Sequence, residues 1–206
     1  MSNRASIAVA LFTTLALLPC APVLAQGEIV ITQAKANAGG VTPGDTANFP
    51  VTLSRPGAYV LGGNLQVPAN KNGLHVTSHN VDIDMNGFRL HGGGVANNGV
   101  YSIRGESRIH GGVISSFKLD GIFLNGVGTN SWVVEDMQIV NNKRNGISAE
   151  FSYYSRFLKN SVLANANHGI ACYNHCHIEG NTCRTTERLG FAFTAVRCWE
   201  TRYFPM

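Results

Sequence analysis

Ionisable side chains recur at one position of a repeating pattern, and they are the first candidates for chemistry in this sequence. They are Asp84, His110, Glu135, Lys159 and Glu179, with Asp82 and Arg108 beside them. Carboxylates held close together change each other's pKa or share a cation, and a neighbouring Arg or His can take a proton from a sugar carbon. The alternative is a structural ladder, in which opposite charges on adjacent strands each contribute roughly a few tenths of a kcal/mol. We prefer the ladder, and keep Asp84, Arg108, His110, Glu135 and Lys159 as the candidate catalytic set.

A second column of the same pattern carries rings instead of charges. It contains His75, Tyr101 and Phe123 at consecutive repeats. Exposed rings on a flat sheet can stack on sugar faces, so these three are the candidate substrate-binding residues. The alternative is that a loop covers the rings, with residues 92–98 as the candidate cover, and we prefer this second interpretation.

The C-terminal third of the chain contains four of the five cysteines: Cys172, Cys176, Cys183 and Cys198. Four cysteines in an oxidising compartment allow three pairings. The run from Cys172 to His177 also contains His175 and has the residue types of a zinc site. Because Cys172 falls at an inward position of the repeat, we prefer one or two disulfides. The pairing stays open, and no metal site is assigned.

The element that must position all these residues is a repeated pair of glycine and an apolar residue. The pair returns at intervals of 26, 22, 25, 23 and 21 residues. A near-constant period in this range indicates a solenoid, in which each repeat is one coil stacked on the last. The pairs begin at Gly73, Gly99, Gly121, Gly146, Gly169 and Gly190.

Residues alternate between apolar and polar after each pair, which is typical of strands and not of helices. The inward position of the first strand is Leu74, Val100, Ile122, Ile147, Ile170 and Phe191. A second strand follows, with Ile83, Ile109, Val134, Leu158 and Ile178 inward. We therefore predict an all-β fold, a parallel β-helix of about six to seven coils over residues 51–194.

The sequence resembles the secreted right-handed parallel β-helix proteins of the pectin-lyase-like superfamily. The resemblance lies in the segments 55–67 and 80–88 and in the Asn-Gly-Ile type repeats, and it covers about residues 50–183. It implies a right-handed coil. In pectate-lyase-like members, acidic residues bind calcium and a basic residue abstracts a proton. The analogous set here, matched by residue type and face only, is Asp82, Asp84 and Glu135 with Arg108 or Lys159. The polygalacturonase-like signatures are absent from the sequence.

The N-terminal segment predicts export. Residues 1–25 read as a secretion signal, with Arg4 before an apolar run and Val23-Leu24-Ala25 as the cleavage pattern. A lipoprotein box ending at Cys20 is the less favoured alternative. The apolar run is too short to span a membrane, so we expect a secreted or periplasmic protein. Residues 26–50 then form a lead-in that caps the solenoid, and residues 195–206 are a cap or a truncated end.

These observations combine into two functional hypotheses. The first is an exported, non-catalytic β-helix protein associated with polysaccharide or with the cell envelope. The alternative is a polysaccharide lyase that acts on uronic-acid polymers by β-elimination. We expect no cofactor, or calcium under the alternative, and the oligomeric state stays open. The formal net charge of +4, without a basic run, argues against a nucleic-acid partner.

Overall fold

Parallel strands are the main regular structure in the computed structural model, which describes residues 27–126 and 131–185. The predicted signal at 1–25, Cys198 and the predicted tail at 195–206 lie outside the described residues. Nineteen strands and one helix are found within the described ranges. The all-β expectation for the fold is therefore confirmed.

The strands form three parallel sheets. Sheet A contains β1 (Ile29–Ile31), β3 (Gly57–Leu61), β6 (Val81–Asp84), β9 (Ser107–His110), β12 (Trp132–Glu135), β15 (Arg156–Leu158) and β18 (His177–Glu179). Sheet B contains β2 (Val51–Leu53), β5 (Leu74–Val76), β8 (Val100–Ser102), β11 (Ile122–Leu124), β14 (Ile147–Tyr153) and β17 (Ile170–Asn174). Sheet C contains β4 (Leu65–Gln66), β7 (Arg89–His91), β10 (Val113–Ser115), β13 (Gln138–Val140), β16 (Ser161–Asn165) and β19 (Thr182–Thr185).

The order of strands within each sheet is that of a β-helix. Neighbours in a sheet come from consecutive coils, so the six strands of sheet B span about five turns. Pairing is parallel and in register, for example from Leu74 through Val100 to Ile122. These residues, together with Ile147 and Ile170, are fully buried. The predicted first inward column is therefore confirmed over the described coils.

The glycine of each repeated pair is explained by a close approach between coils. A Cβ on Gly99 would lie 2.5 Å from the carbonyl oxygen of Gly121, and a Cβ on Gly121 would lie 2.7 Å from that of Gly146. The same oxygens accept hydrogen bonds of 2.9 Å from the amides of Val100 and Ile122. Only glycine leaves room for this contact, because any side chain would push the coils apart.

A column of polar residues precedes the glycines, and we call it the buried ladder: the half-buried Asn72 and the buried Asn98, Asp120 and Asn145. The side-chain oxygen of each residue accepts the backbone amide of the next coil. Asn98 Oδ1 accepts from Asp120 N at 3.1 Å, and Asp120 Oδ1 accepts from Asn145 N at 2.9 Å. The ladder satisfies corner amides that no strand can pair, as buried backbone groups require.

The lead-in contains a helix that the sequence analysis did not predict. After strand β1 (Ile29–Ile31) comes the helix α1 (Gln33–Ala38). Thr32 caps its start, because the Thr32 hydroxyl accepts a hydrogen bond from the amide of Lys35 at 3.2 Å. Gln33 Oε1 accepts the amide of Gln66 in β4 at 2.7 Å, and Gln33 Nε2 donates back to its carbonyl at 3.3 Å. The helix thus covers part of the edge strand of sheet C.

Candidate functional site

Five ionisable side chains lie together on the outside of sheet A, and we call this surface the polar face: Asp82, Asp84, Arg108, His110 and Glu135. Strands β6, β9 and β12 place them, because alternate residues of each strand point outward. Asp82 pairs with Arg108 across the strands, and Asp84 pairs with His110, which in turn pairs with Glu135. The structure therefore brings together four of the five predicted catalytic residues, with Asp82 beside them.

Arg108 is held by carboxylates on both sides. Its Nε and Nη2 donate to Glu135 Oε1 at 2.5 Å each, and its Nη1 lies 3.7 Å from Asp82 Oδ2. Arginine stays protonated in proteins, so this guanidinium acts as a fixed cation. It neutralises part of the acidic charge of the polar face.

His110 lies between the two aspartates of the neighbouring strand. Its Nε2 is 3.4 Å from Asp82 Oδ1, and its Nδ1 is 3.8 Å from Asp84 Oδ1. The first contact is not aligned as a hydrogen bond. Asp82 Oδ1 is buried and has no hydrogen-bond partner within the described part of the chain. An unpaired buried carboxylate oxygen beside an imidazole is the least satisfied feature of this surface.

Lys159 does not lie on the polar face, and its predicted place in the charged column is wrong. Phe157 pairs with Val134 and is fully buried, so Leu158 takes the outward position opposite Glu135. Lys159 follows at a turn, with a φ of 53°. Phe157 and Leu158 are both apolar, so the sequence does not show which of them points inward. In the structure the larger side chain, Phe157, fills the core.

Glu179 belongs to the same outward column but is separated from the polar face by Leu158. Its carboxylate oxygen Oε2 lies 2.9 Å from His177 Nε2. This hydrogen bond, reinforced by the charge of His177, lowers the pKa of Glu179. The pair forms a separate contact at the end of sheet A.

The predicted aromatic column is present on sheet B, and we call it the ring column: His75, Tyr101 and Phe123. The centroid of Tyr101 is 5.2 Å from that of His75 and 5.7 Å from that of Phe123. All three are half-buried. The expected cover at 92–98 instead bonds to neighbouring corners, for example through the carbonyl of Ala96 to Lys118 N at 2.7 Å.

The two ends of the ring column differ. Burial lowers the pKa of the His75 imidazole, whose Nε2 is buried without a hydrogen-bond partner in the described residues. At the other end, the guanidinium of Arg144 lies 5.5 Å from the centre of the Phe123 ring. Arg144 also forms an ion pair with the fully buried Asp120 of the buried ladder. The column thus joins a neutral imidazole to a charge pair.

One cysteine pairing that the sequence left open is a disulfide between Cys172 and Cys176. Cys183 is disulfide-bonded as well. Cys172 is buried in the second inward column beside Ala149, and Cys176 packs partly buried against the core. The preferred interpretation, disulfide over zinc cluster, is therefore supported by the oxidised state of these thiols.

The amino-acid sequence matches the model of a known protein family over more than half of its length. Residues 36–197 match the family described as NosD, periplasmic copper-binding protein. The chain belongs to the NosD family. Searches among curated proteins and solved structures give no match. NosD membership confirms the resemblance to exported parallel β-helix proteins and the secreted or periplasmic location. Within the described residues, no helix is long and apolar enough to cross a membrane.

NosD membership also corrects one prediction. The expectation of no cofactor, with calcium as the alternative, is contradicted by the description of the family as copper-binding. Sequence inspection missed this because copper ligands need no contiguous motif. Side chains on neighbouring coils, such as Asp82 and His110, come close only in the folded solenoid.

Residue types that bind copper lie close together at more than one place in the described chain, although no group of three or more His, Cys, Asp or Glu converges as a metal site in residues 27–126 and 131–185. An imidazole nitrogen and a carboxylate oxygen, which suit copper(II), meet at His110 and Asp82, and again at His177 and Glu179. The first pair includes the buried Asp82 Oδ1, which has no hydrogen-bond partner in the described residues. The donor chemistry of the polar face therefore fits copper(II) at two protein ligands.

Proposed function

We propose that the protein is an exported, non-catalytic β-helix that binds copper(II) in the periplasm on its polar face. The observation that carries this proposal is the buried, unpaired Oδ1 of Asp82, 3.4 Å from His110 Nε2. An unpaired buried polar atom costs about 1–3 kcal/mol, and more when charged. A bound cation supplies the missing partner, and membership of the NosD family favours copper.

The orientation of the His110 ring suits metal binding. Ligating imidazoles usually present one nitrogen to the metal while a carboxylate or carbonyl accepts from the other. Here Nε2 faces Asp82, and Nδ1 faces Asp84 Oδ1 at 3.8 Å. Asp82 and His110 are thus the proposed ligands, and Asp84 is the proposed residue that holds the ring.

The charge of the polar face favours a cation as the occupant. Three carboxylates face one guanidinium, which leaves a net negative charge when the imidazole is neutral. Asp82 and Asp84 have side chains that are 48% and 41% exposed, so an ion reaches them from solvent. The local field raises the concentration of cations at this surface.

The same geometry weakens the lyase alternative. A base for β-elimination must be able to lose its proton, whereas Arg108 stays protonated and is bound by Glu135 and Asp82. Lys159, the other basic candidate, lies at a turn outside the polar face. These placements favour binding over catalysis on sheet A.

The proposal is tested by copper(II) titration of the exported protein in its oxidised form, followed by electron paramagnetic resonance. We expect His110→Ala and Asp82→Asn each to weaken copper(II) binding more than about 10-fold. Even the mutation of a residue that only hydrogen-bonds to a metal ligand lowers metal affinity about 10–100-fold. The nitrogen coupling in the spectrum should disappear in His110→Ala.

The matched control is His91→Ala. His91 lies on sheet C, where its Nδ1 is 2.9 Å from Ser115 Oγ, so the variant removes an imidazole without touching the polar face. Equal affinity in wild type, His110→Ala and Asp82→Asn would refute the proposal. An equal loss in His91→Ala would show that copper binds histidines without selection.

A second candidate is association with polysaccharide, which the continuous ring column favours. Three half-buried rings in register present apolar area on a flat sheet, and such rings can bind sugars by stacking. Co-sedimentation with insoluble cell-wall glycan tests this candidate, with and without copper and chelator. Tyr101→Ala should abolish binding and His91→Ala should not; retention by Tyr101→Ala would exclude the ring column.

A further inference from the structure

The disulfide of Cys172 and Cys176 closes a very short loop. The two residues are four positions apart, and their Cα atoms are separated by 6.5 Å. The entropy that a crosslink removes from the unfolded chain grows with the length of the loop that it closes. A loop this short therefore contributes less to stability by that route than a longer loop does. A structural role is thus not the whole reason to expect a bond at this place.

The surroundings of the disulfide contain further metal-binding residue types. Strand β17 ends at Asn174, and the chain turns at His175, whose φ is 49°. Cys176 is flanked by His175 and His177, both exposed. The disulfide thus joins the core at Cys172 to an exposed corner that carries two imidazoles.

We propose that Cys172 and Cys176, once reduced, form a copper(I) site, so that the disulfide is a redox gate on metal binding. Thiolates are the soft ligands that select copper(I), whereas a disulfide is not a thiolate donor. Because the two sulfurs are bonded in the oxidised protein, reduction leaves two thiols already side by side. Little chain ordering is then needed to bind the ion.

The redox step is a thiol–disulfide exchange with a dithiol reductant. The dithiol gives up two electrons and two protons and becomes a disulfide, while the bond between Cys172 and Cys176 breaks and two thiols form. Copper(I) then replaces the two thiol protons, which pass to water, and binds both sulfurs.

This inference rests on the proposed function only in taking copper as the metal. The site, the donor atoms and the oxidation state of the ion all differ from those of the polar face. Loss of copper(II) binding in His110→Ala leaves the thiol pair untouched. Failure of one proposal is therefore distinguishable from failure of the other.

The test compares copper(I) binding by oxidised protein and by protein reduced with a phosphine and desalted without oxygen. Copper(I) is supplied from a chromophoric chelator, so that its transfer is read from the loss of chelator colour. We expect the reduced wild type to take one copper(I) ion more than the oxidised form, with a thiolate-to-copper charge-transfer band in the ultraviolet. The double variant Cys172→Ser with Cys176→Ser should lose this reduction-dependent ion.

Two controls separate the thiol pair from other sites. Cys183→Ser removes another disulfide-bonded cysteine, and His110→Ala removes the polar-face imidazole; both should keep the reduction-dependent ion. If the double variant folds poorly, alkylation of reduced wild type blocks the same thiols in a folded chain, as judged by its thermal melt. Equal copper(I) uptake by oxidised and reduced wild type, or by the reduced double variant, would overturn the inference.

Discussion

The polar face and the buried ladder are both columns of polar residues repeated from coil to coil, yet their chemistry differs. In the ladder, Asp120 is fully buried and its oxygens accept from Asn145 N and from Arg144. On the polar face, Asp82 has a half-exposed side chain and one oxygen without a hydrogen-bond partner in the described chain. The hydrogen-bonding capacity of Asp120 is used within the protein, whereas Asp82 Oδ1 makes no such bond.

This difference teaches how a solenoid separates folding from binding. Corner residues must satisfy backbone amides, and a buried unsatisfied group is expensive, so their oxygens are committed. Backbone groups in the middle of a sheet already bond to the neighbouring strands, so outward side chains are mostly not needed to satisfy them; Asp84, whose Oδ1 accepts from Asn86 N at 2.7 Å, is an exception at the end of its strand. A change in the buried ladder should therefore affect stability, and a change on the polar face should affect ligand binding.

The largest expected effect is on stability, from Asp120→Ala. The variant leaves the buried Asn145 amide and the half-exposed Arg144 guanidinium without their carboxylate, and each hydrogen bond to a charged group contributes about 1.5–3 kcal/mol. Urea unfolding measures the change. Asp120→Asn keeps a side-chain oxygen that can accept the backbone amide of Asn145, so it should lose clearly less unfolding free energy than Asp120→Ala. Equal losses would show that charge, and not the ladder bond, dominates.

Gly121→Ala should be the next most damaging change. Its Cβ would lie 2.6 Å from Ile139 Cγ2 and 2.7 Å from the carbonyl oxygen of Gly146, so coils must separate. Overpacking of this kind costs about 1–3 kcal/mol. Gly63→Ala is the matched control, since its Cβ would meet nothing within 4 Å. Thermal melts of both variants measure the effect. A Gly121→Ala variant as stable as Gly63→Ala would contradict the claim that the contact between coils requires glycine.

Arg108→Ala should have a small effect on stability and the opposite effect on binding. Its ion pairs are partly exposed, and such pairs contribute about 0–1 kcal/mol. Removing the guanidinium leaves the carboxylates of Asp82 and Glu135 uncompensated, so copper(II) should bind more tightly. Titration at low and high salt checks this, because the gain should shrink as salt screens the charges. If Arg108→Ala instead binds copper(II) more weakly than the wild type, the main role of Arg108 is to hold the carboxylates of Asp82 and Glu135 in place.

The smallest effect concerns pH and the ring column. Burial lowers the pKa of His75 below the ordinary value of 6.5, so the folded protein holds this imidazole neutral. As the pH falls below that value, the unfolded chain takes up a proton that the folded chain refuses. Stability is therefore lost on the acid side, from the unfolded pKa down to the folded one. His75→Phe should reduce this loss of unfolding free energy, measured by denaturant unfolding between neutral pH and about pH 5. If the variant loses as much stability as the wild type over this range, a group other than His75 causes the loss.

Much of the fold can be predicted from the sequence because only glycine fits at the first position of each repeated pair. The period of Gly99, Gly121 and Gly146 revealed the coils and the inward column. The register error at Lys159 arose where Phe157 and Leu158 compete for one inward position. Helix α1 escaped notice because its six residues show no apolar period, and only Thr32 marks its start.

The site was harder to predict than the fold. Residue types placed Asp84, Arg108, His110 and Glu135 on one face, but the unpaired oxygen of Asp82 depends on side-chain orientation, which spacing cannot give. The pairing of Cys172 with Cys176 was one of several that composition allowed. The proposed copper ligands Asp82 and His110 lie on the neighbouring strands β6 and β9, so only the folded arrangement brings their side chains together.

The contact between successive glycines has a consequence for how such a protein changes over evolutionary time. The amide of Leu74 bonds to Gly99 O just as that of Ile147 bonds to Gly169 O, both at 2.9 Å, so the junction between any two coils is interchangeable. Gene duplication or deletion of one whole unit would leave every remaining junction matched. Growth and shortening in complete turns should therefore be tolerated, whereas an insertion of any other length within a strand would shift all later columns out of phase.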